Sequence, residues 1–126
     1  TSVGYVHAIA HTFGAFYRTP HGRANAIVLP HVLEFSKGPA RDRLAALADV
    51  VGVGRGGGPE AKAQAFIDAV RELMARIDIP STLADLREED VAPIARQALA
   101  EATFNYPVPR YMTRPEAEGL IRRILA

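Results

Sequence analysis

Residues 59–77 read PEAKAQAFIDAVRELMARI and carry the clearest secondary-structure signal in the 126-residue chain. Apolar side chains recur there every three or four residues, which is the period of an amphipathic helix. The positions that share this face are Ala63, Phe66, Ile67, Val70, Leu73, Met74 and Ile77. Pro59 and Glu60 come first, where a helix favours a proline and a negative charge. The stretch therefore predicts a helix over 59–77 with one buried face.

Helical patterns continue on both sides of this stretch. They predict helices over residues 3–16, 24–35, 40–51, 88–104 and 113–126, and a short helical turn over 83–85. We expect Pro30 to kink or split its helix, and Pro93 to be tolerated only in a first turn. Residues 105–112 hold two prolines and are expected to be extended, whereas Thr113 and Glu116 match a capping box. Because no alternating run favours a strand, the sequence predicts an all-α fold.

The composition is that of a soluble globular domain. Hydrophobic residues make up 48% and charged residues 23% of the chain, which excludes a disordered or collagen-like protein. The chain has no cysteine, so a disulfide or a thiolate metal site is excluded. A net charge of +1 provides no field for nucleic acid or an anionic membrane. No apolar run reaches the roughly 20 residues of a membrane span, and no targeting segment is recognisable, so we expect a cytoplasmic protein.

Four histidines fall in the first quarter of the chain: His7, His11, His21 and His31. His7 and His11 are four residues apart, so both project from one face of the first predicted helix. His21 follows in a Pro-His-Gly break that could turn it back towards that helix. Three converging imidazoles would suit a divalent transition metal, but a histidine pair at this spacing is also typical of packed or solvated side chains. The spacing alone leaves both interpretations open.

The first thirty residues resemble the signature of the iron-containing (group III) alcohol dehydrogenases. That pattern runs Gly-x-x-His-Ala-x-Ala-His, then Gly-Ala, Pro-His-Gly, Asn-Ala and Leu-Pro. It is formed here by Gly4, His7, Ala8, Ala10, His11, Gly14, Ala15, Pro20, His21, Gly22, Asn25, Ala26, Leu29 and Pro30. The resemblance continues more loosely to the C-terminus. It implies that residues 1–126 are a partial C-terminal helical metal-binding domain, of the dehydroquinate synthase-like type, and that the N-terminal nucleotide-binding domain of the family is absent from this chain.

The resemblance also implies roles for individual histidines. It assigns metal ligation to His7 and His21. His11 matches a histidine that lines the active site, where it would relay a proton or orient the substrate. His31 follows the Leu-Pro pair and is expected to be structural or exposed. The family's other two ligands, an aspartate and a histidine four apart on an earlier helix, would have to come from a preceding region. Two weaker candidates for a cleft-facing segment are Thr103 and Asn105.

The activity that the resemblance implies is the interconversion of alcohols with aldehydes or ketones. The metal would be Fe²⁺, with Zn²⁺ as the alternative, and would lower the pKa of the alcohol. Hydride would pass to NAD or NADP, bound mainly by the missing domain. We expect a homo-oligomeric parent enzyme that acts on a small alcohol or aldehyde, and an inactive chain when these 126 residues stand alone. The alternative is a non-catalytic helical fragment that serves domain or subunit packing.

A glycine motif in the middle of the chain suggests a different kind of site. Gly52, Gly54 and Gly57 satisfy the Gly-x-Gly-x-x-Gly pattern that is typical of dinucleotide-binding loops. Such a loop follows a strand, whereas the residues before Gly52 have the pattern of a helix. We therefore expect a flexible loop between two helices.

Overall fold

The computed structural model describes the backbone of residues 3–105 and 112–126, and the side chains of residues 5–102 and 112–126. Six helices lie in this part of the chain: α1 (Val3–Tyr17), α2 (His21–Ser36), α3 (Arg41–Val51), α4 (Pro59–Arg76), α5 (Glu88–Asn105) and α6 (Arg114–Arg122). The described residues contain no strand beyond one isolated bridge. The predicted all-α fold is thus confirmed, and most predicted ends lie within one or two residues of the observed ones. The extended segment predicted over 105–112 falls almost entirely outside the described residues.

The main hydrophobic core lies where α1 packs between α2 and α5, and α6 packs against α5. Its largest fully buried side chains are Tyr5, Phe13, Ile9, Ile27, Ile94, Ile121 and Ile124. Alanines alternate with them on α1 and α5, at Ala8, Ala10, Ala95, Ala98 and Ala102. Small side chains bring two helices close together, so α1 and α5 can share polar contacts across their common edge.

A second, smaller core joins the α3–α4 hairpin to α2. It consists of Leu33, Leu44, Ala63 and Ile67. Gly52 ends α3 in the left-handed conformation, with φ 78°, and its N–H bonds back to the carbonyl oxygens of Ala48 and Asp49. Glycine is the residue that adopts this conformation without steric cost, which explains why the chain leaves the helix there.

The capping box predicted at the start of the last helix is confirmed. The Thr113 hydroxyl accepts a hydrogen bond from the Glu116 N–H at 3.3 Å, and the Glu116 carboxylate accepts one from the Thr113 N–H at 3.0 Å. Two N–H groups that a helix start leaves unpaired are therefore satisfied reciprocally.

The expectation for Pro93 was wrong, and those for Pro30 and for residues 83–85 differ from the structure in part. α2 runs from His21 to Ser36 without a split, although Pro30 lies inside it. Pro30 is buried, so packing of its ring compensates for the hydrogen bond that proline cannot donate. Pro93 is the sixth residue of α5, beyond the first turn. Residues 83–86 form a single turn, in which the Leu86 N–H donates to the Leu83 carbonyl oxygen at 3.2 Å. Leu83 also forms a parallel bridge with Leu125, and its N–H donates to the Ile124 carbonyl oxygen at 2.7 Å.

The predicted buried faces of α3 and α4 are also narrower than expected. Leu47 and Val51 on α3, and Leu73 and Ile77 at the end of α4, are exposed, with Leu73 and Ile77 accessible to 53% and 57%. These two helices pack mainly on each other, and the exposed apolar positions lie outside their shared interface. Within the described residues, none of the helices is both long enough and apolar enough to cross a lipid bilayer.

Candidate metal centre

His7 and His21 come together at the junction of the first two helices. His7 lies in the second turn of α1 and is half-buried, whereas His21 is the first residue of α2 and is exposed. The centres of their imidazole rings are 5.2 Å apart, and the ring planes meet at 71°. The turn that the Pro-His-Gly break predicts does carry His21 back towards the first helix.

The connection between these two helices is only three residues long. Arg18 adopts a left-handed conformation, with φ 57°, and its N–H closes the end of α1 with a 2.9 Å bond to the Gly14 carbonyl oxygen. Pro20 then turns the chain to an extended conformation, and its carbonyl accepts the first helical hydrogen bond of α2 from the Ala24 N–H at 2.9 Å. One left-handed residue and one proline therefore fold α2 back beside α1.

His11 lies one turn beyond His7 on the same helix face, but its ring has a different partner. The centres of the two rings are 6.3 Å apart. His11 Nδ1 lies 2.9 Å from Oε1 of Glu101, in the C-terminal half of α5. Sequence reasoning missed Glu101. It is ninety positions from His11, and only the packing of α5 along α1 brings the two side chains together.

A small cleft of about 240 Å³ opens beside His7. It is lined by His7 with Val6 of α1 and with Asn25 and Leu29 of α2. The Asn25 side-chain oxygen is buried and, among the described residues, accepts no hydrogen bond. A buried amide oxygen without a partner is costly, so this cleft offers a ready acceptor to a polar ligand.

The remaining candidates lie outside this cluster or outside the described side chains. His31 on α2 donates from Nε2 to the Ser81 carbonyl oxygen at 3.1 Å, and burial lowers its pKa below the usual histidine value. Its side chain is half-buried and hydrogen-bonded, where the sequence led us to expect a structural or exposed residue. Thr103 and Asn105 belong to the last turn of α5, and their side chains lie outside the described residues.

Among the side chains that the structure describes, no group of three or more potential ligands is close enough to hold a metal ion. Gly52, Gly54 and Gly57 lie between α3 and α4, so the residues before this glycine motif are helical, as predicted, and a strand–turn–helix unit is not formed there.

Comparison with known proteins places the chain in a family. The family model for the C-terminal part of the Fe-containing alcohol dehydrogenase family matches residues 1–125. The chain belongs to this family. Lactaldehyde reductase of Escherichia coli (strain K12), an alcohol dehydrogenase relative, is 41% identical over 100 residues, covering 77% of this chain and 26% of the relative. 1,3-Propanediol dehydrogenase of Citrobacter freundii is 38% identical over 125 residues, covering 97% of this chain and 32% of the relative.

The solved structures agree with this assignment to the iron-containing alcohol dehydrogenases. The crystal structure of a 1,3-propanediol oxidoreductase superposes with a TM-score of 0.89 at 33% identity, covering 96% of this chain and 32% of that one. An alcohol dehydrogenase from Oenococcus oeni gives a TM-score of 0.85 at 30% identity, covering 95% of this chain and 32% of that one. The chain therefore spans about a third of the length of these relatives.

Proposed function

We propose that this chain supplies His7 and His21 as two ligands of a metal ion in an NAD(P)-dependent alcohol dehydrogenase. The separation of the two rings is the observation that carries the proposal. A nitrogen ligand lies about 2.1 Å from the metal, which puts two ring centres about 4.5–5.5 Å apart for octahedral to tetrahedral angles. The His7 and His21 rings are 5.2 Å apart, inside that range, whereas the His7 and His11 rings, at 6.3 Å, are outside it.

The same proposal requires further ligands from another part of the parent protein. Two imidazoles do not complete a catalytic metal site, which keeps three protein ligands or more. The family resemblance suggests an aspartate and a histidine on an earlier helix, and a preceding nucleotide-binding domain. The chain's coverage of about a third of its relatives is consistent with such a division. Fe²⁺ is the metal that the family description favours, and Zn²⁺ is the alternative.

The residues of this chain would act on the substrate through His11 and through the cleft beside His7. His7 and His21 would hold a metal that polarises the substrate oxygen, and the nicotinamide would supply the hydride chemistry. His11, which is 66% exposed, would accept or return the hydroxyl proton, or orient the substrate. Val6 and Leu29 give the cleft beside His7 an apolar wall, and the Asn25 oxygen would accept a hydrogen bond there. A small alcohol or aldehyde suits this cleft and fits the names of the two relatives.

Metal content and turnover, measured together in the full-length parent enzyme, test the proposal. His7→Ala or His21→Ala should weaken metal binding by at least tenfold, since even partners outside the coordination sphere contribute about 10–100-fold. Both variants should lose activity in proportion. His11→Ala is the matched control on the same helix face, and should keep its metal while kcat falls. The proposal is wrong if His11→Ala empties the site while His7→Ala leaves it full. The 126-residue chain by itself is expected to show no turnover with NAD or NADP.

Exposed apolar residues favour the second function, a helical piece that serves domain or subunit packing. Leu47, Val50 and Val51 on α3 and Ile77 after α4 are all exposed. The two functions differ in one measurable respect. If packing is the only role, His7→Ala and His21→Ala leave both metal content and turnover of the parent unchanged.

A further inference from the structure

We propose that Glu101 is a positioning residue for His11, a role that rests on the function proposed above. Oε1 of Glu101 lies 2.9 Å from Nδ1 of His11, within the range of a strong hydrogen bond. The Glu101 side chain is only 20% exposed, whereas the His11 side chain is 66% exposed. The carboxylate is thus the fixed, sheltered partner and the imidazole the accessible one.

This contact decides which nitrogen of His11 carries the proton. An ionised carboxylate can only accept hydrogen bonds, so Nδ1 of His11 must be the donor. In the neutral ring Nε2 then has the free lone pair and can accept a proton. Without Glu101 the ring would be free to take up the other tautomer, with its proton on Nε2, or to rotate. Glu101 therefore selects both the orientation of His11 and the nitrogen that is available for chemistry.

The position of Glu101 is itself fixed by packing. Ala98 and Ala102, its neighbours on α5, are buried in the main core. A second polar contact between the same helices, from Tyr17 on α1 to Asp90 on α5, holds their other ends at 2.6 Å. The buried packing of α5 against α1 sets the register of the two helices, and the Tyr17–Asp90 bond adds to it. Glu101 is thus held beside His11 by the helix pair as a whole.

The contact has a consequence for alcohol oxidation. When the O–H bond of the alcohol breaks, Nε2 of His11 would take the proton, which makes the ring an imidazolium. A bound nicotinamide would take the hydride from the C–H bond, which leaves the carbonyl compound and balances the step. The positive charge that forms on His11 lies against the Glu101 carboxylate, which stabilises it as a charge-assisted hydrogen bond. In the reverse direction the same proton returns to the carbonyl oxygen.

Nitrogen-15 NMR of the His11 side chain tests the positioning directly, in this chain and without metal. At about pH 9, where imidazole side chains are ordinarily neutral, we expect one tautomer protonated at Nδ1. Glu101→Ala should lose that tautomer, and alanine at a helical position should keep α5 intact. Tyr17→Phe is the matched control, because it removes the other contact between α1 and α5 but should leave the His11 signal unchanged. Protonation of His11 at Nε2 in the unmodified chain, or no change in Glu101→Ala, would overturn the proposal.

Kinetics of the metal-loaded parent enzyme supply the second readout. Glu101→Ala should lower kcat by about 10–100-fold, in the same direction as His11→Ala, with metal content and KM nearly unchanged. If Glu101→Ala keeps full kcat while His11→Ala loses it, the role of Glu101 is contradicted and the role of His11 is not. Full kcat in His11→Ala would instead contradict the role proposed for His11, and Glu101 would have nothing to position. If His7→Ala keeps its metal, the metal centre proposed above is wrong. The NMR test of the His11–Glu101 contact does not depend on that result.

Discussion

The Tyr17 hydroxyl donates a 2.6 Å hydrogen bond to the Asp90 carboxylate and so joins the last residue of α1 to the first turn of α5. The same oxygen accepts a hydrogen bond from the Arg87 N–H at 3.3 Å. Burial and the bond to Asp90 together raise the pKa of Tyr17 to about 12. The neutral phenol is therefore the form that the folded chain favours.

Tyr17→Phe should lower the free energy of unfolding by about 0.5–1.5 kcal/mol at pH 7, because it removes a hydrogen bond that is only partly screened by water. Since the pKa is raised on folding, the contribution of Tyr17 is present below about pH 10 and is lost as the pH rises towards 12. Urea titrations at pH 7 and pH 11 should show a larger loss of stability for the unmodified chain than for Tyr17→Phe. Equal losses would contradict the raised pKa.

Gly54→Ala should destabilise the chain by more than about 1 kcal/mol. Gly54 has φ 67°, and an added Cβ would lie 3.0 Å from Ala65 Cβ and 3.1 Å from Lys62 Cα. Strain and crowding therefore act together. Gly38→Ala is the control, because an added Cβ there meets no atom within 4 Å and the backbone needs no left-handed conformation. Thermal unfolding of the two variants should differ by several degrees, and a Gly54→Ala variant as stable as Gly38→Ala would refute the account.

Thr113→Ala should cost about 1 kcal/mol, because α6 would lose its N-cap. Thr113→Ser keeps the hydroxyl that accepts from the Glu116 N–H and should stay close to the unmodified chain. Chemical denaturation compares the three proteins. An alanine variant that matches the serine variant would show that the capping box contributes nothing to stability.

The stability of the chain should fall on acidification partly because of His31. Burial lowers its pKa, so the unfolded chain binds a proton more readily than the folded one. The contribution of His31 is present above its unfolded pKa of about 6.5 and is lost as the pH falls below that value. His31→Gln cannot titrate but can still donate to the Ser81 carbonyl. Its stability curve should be flatter below pH 6.5, and an identical slope in both proteins would exclude this contribution.

Much of the helical order follows from local sequence signals. Thr113 and Glu116 predict the start of α6 correctly because a capping box involves only neighbouring residues. Pro93 inside α5 and the absence of a split at Pro30 could not be predicted, because the energy that carries a helix through a proline comes from tertiary burial, which a local pattern does not contain. The bridge of Leu83 could not be predicted for a similar reason, since its partner, Leu125, is distant in the sequence.

The candidate site also contains residues that the sequence can pair and one residue that it cannot. His7 and His21 can be paired from the sequence, because a break of known type lies between them and the family signature covers both. Glu101 has no motif around it, and its contact with His11 depends on how α5 docks against α1. A carboxylate recruited from a distant helix becomes visible only once the helix packing is known.

The three-residue turn between α1 and α2 also decides when the histidine pair forms. His7 and His21 are fourteen positions apart along the chain, whereas ninety separate His11 from Glu101. For flexible segments of these lengths, closure of the longer one costs about 1.7 kcal/mol more in chain entropy. Contacts of such low contact order form early in folding. The helical hairpin therefore brings His7 and His21 together early and meets the entropic cost of doing so, whereas the His11–Glu101 contact forms only when α5 docks.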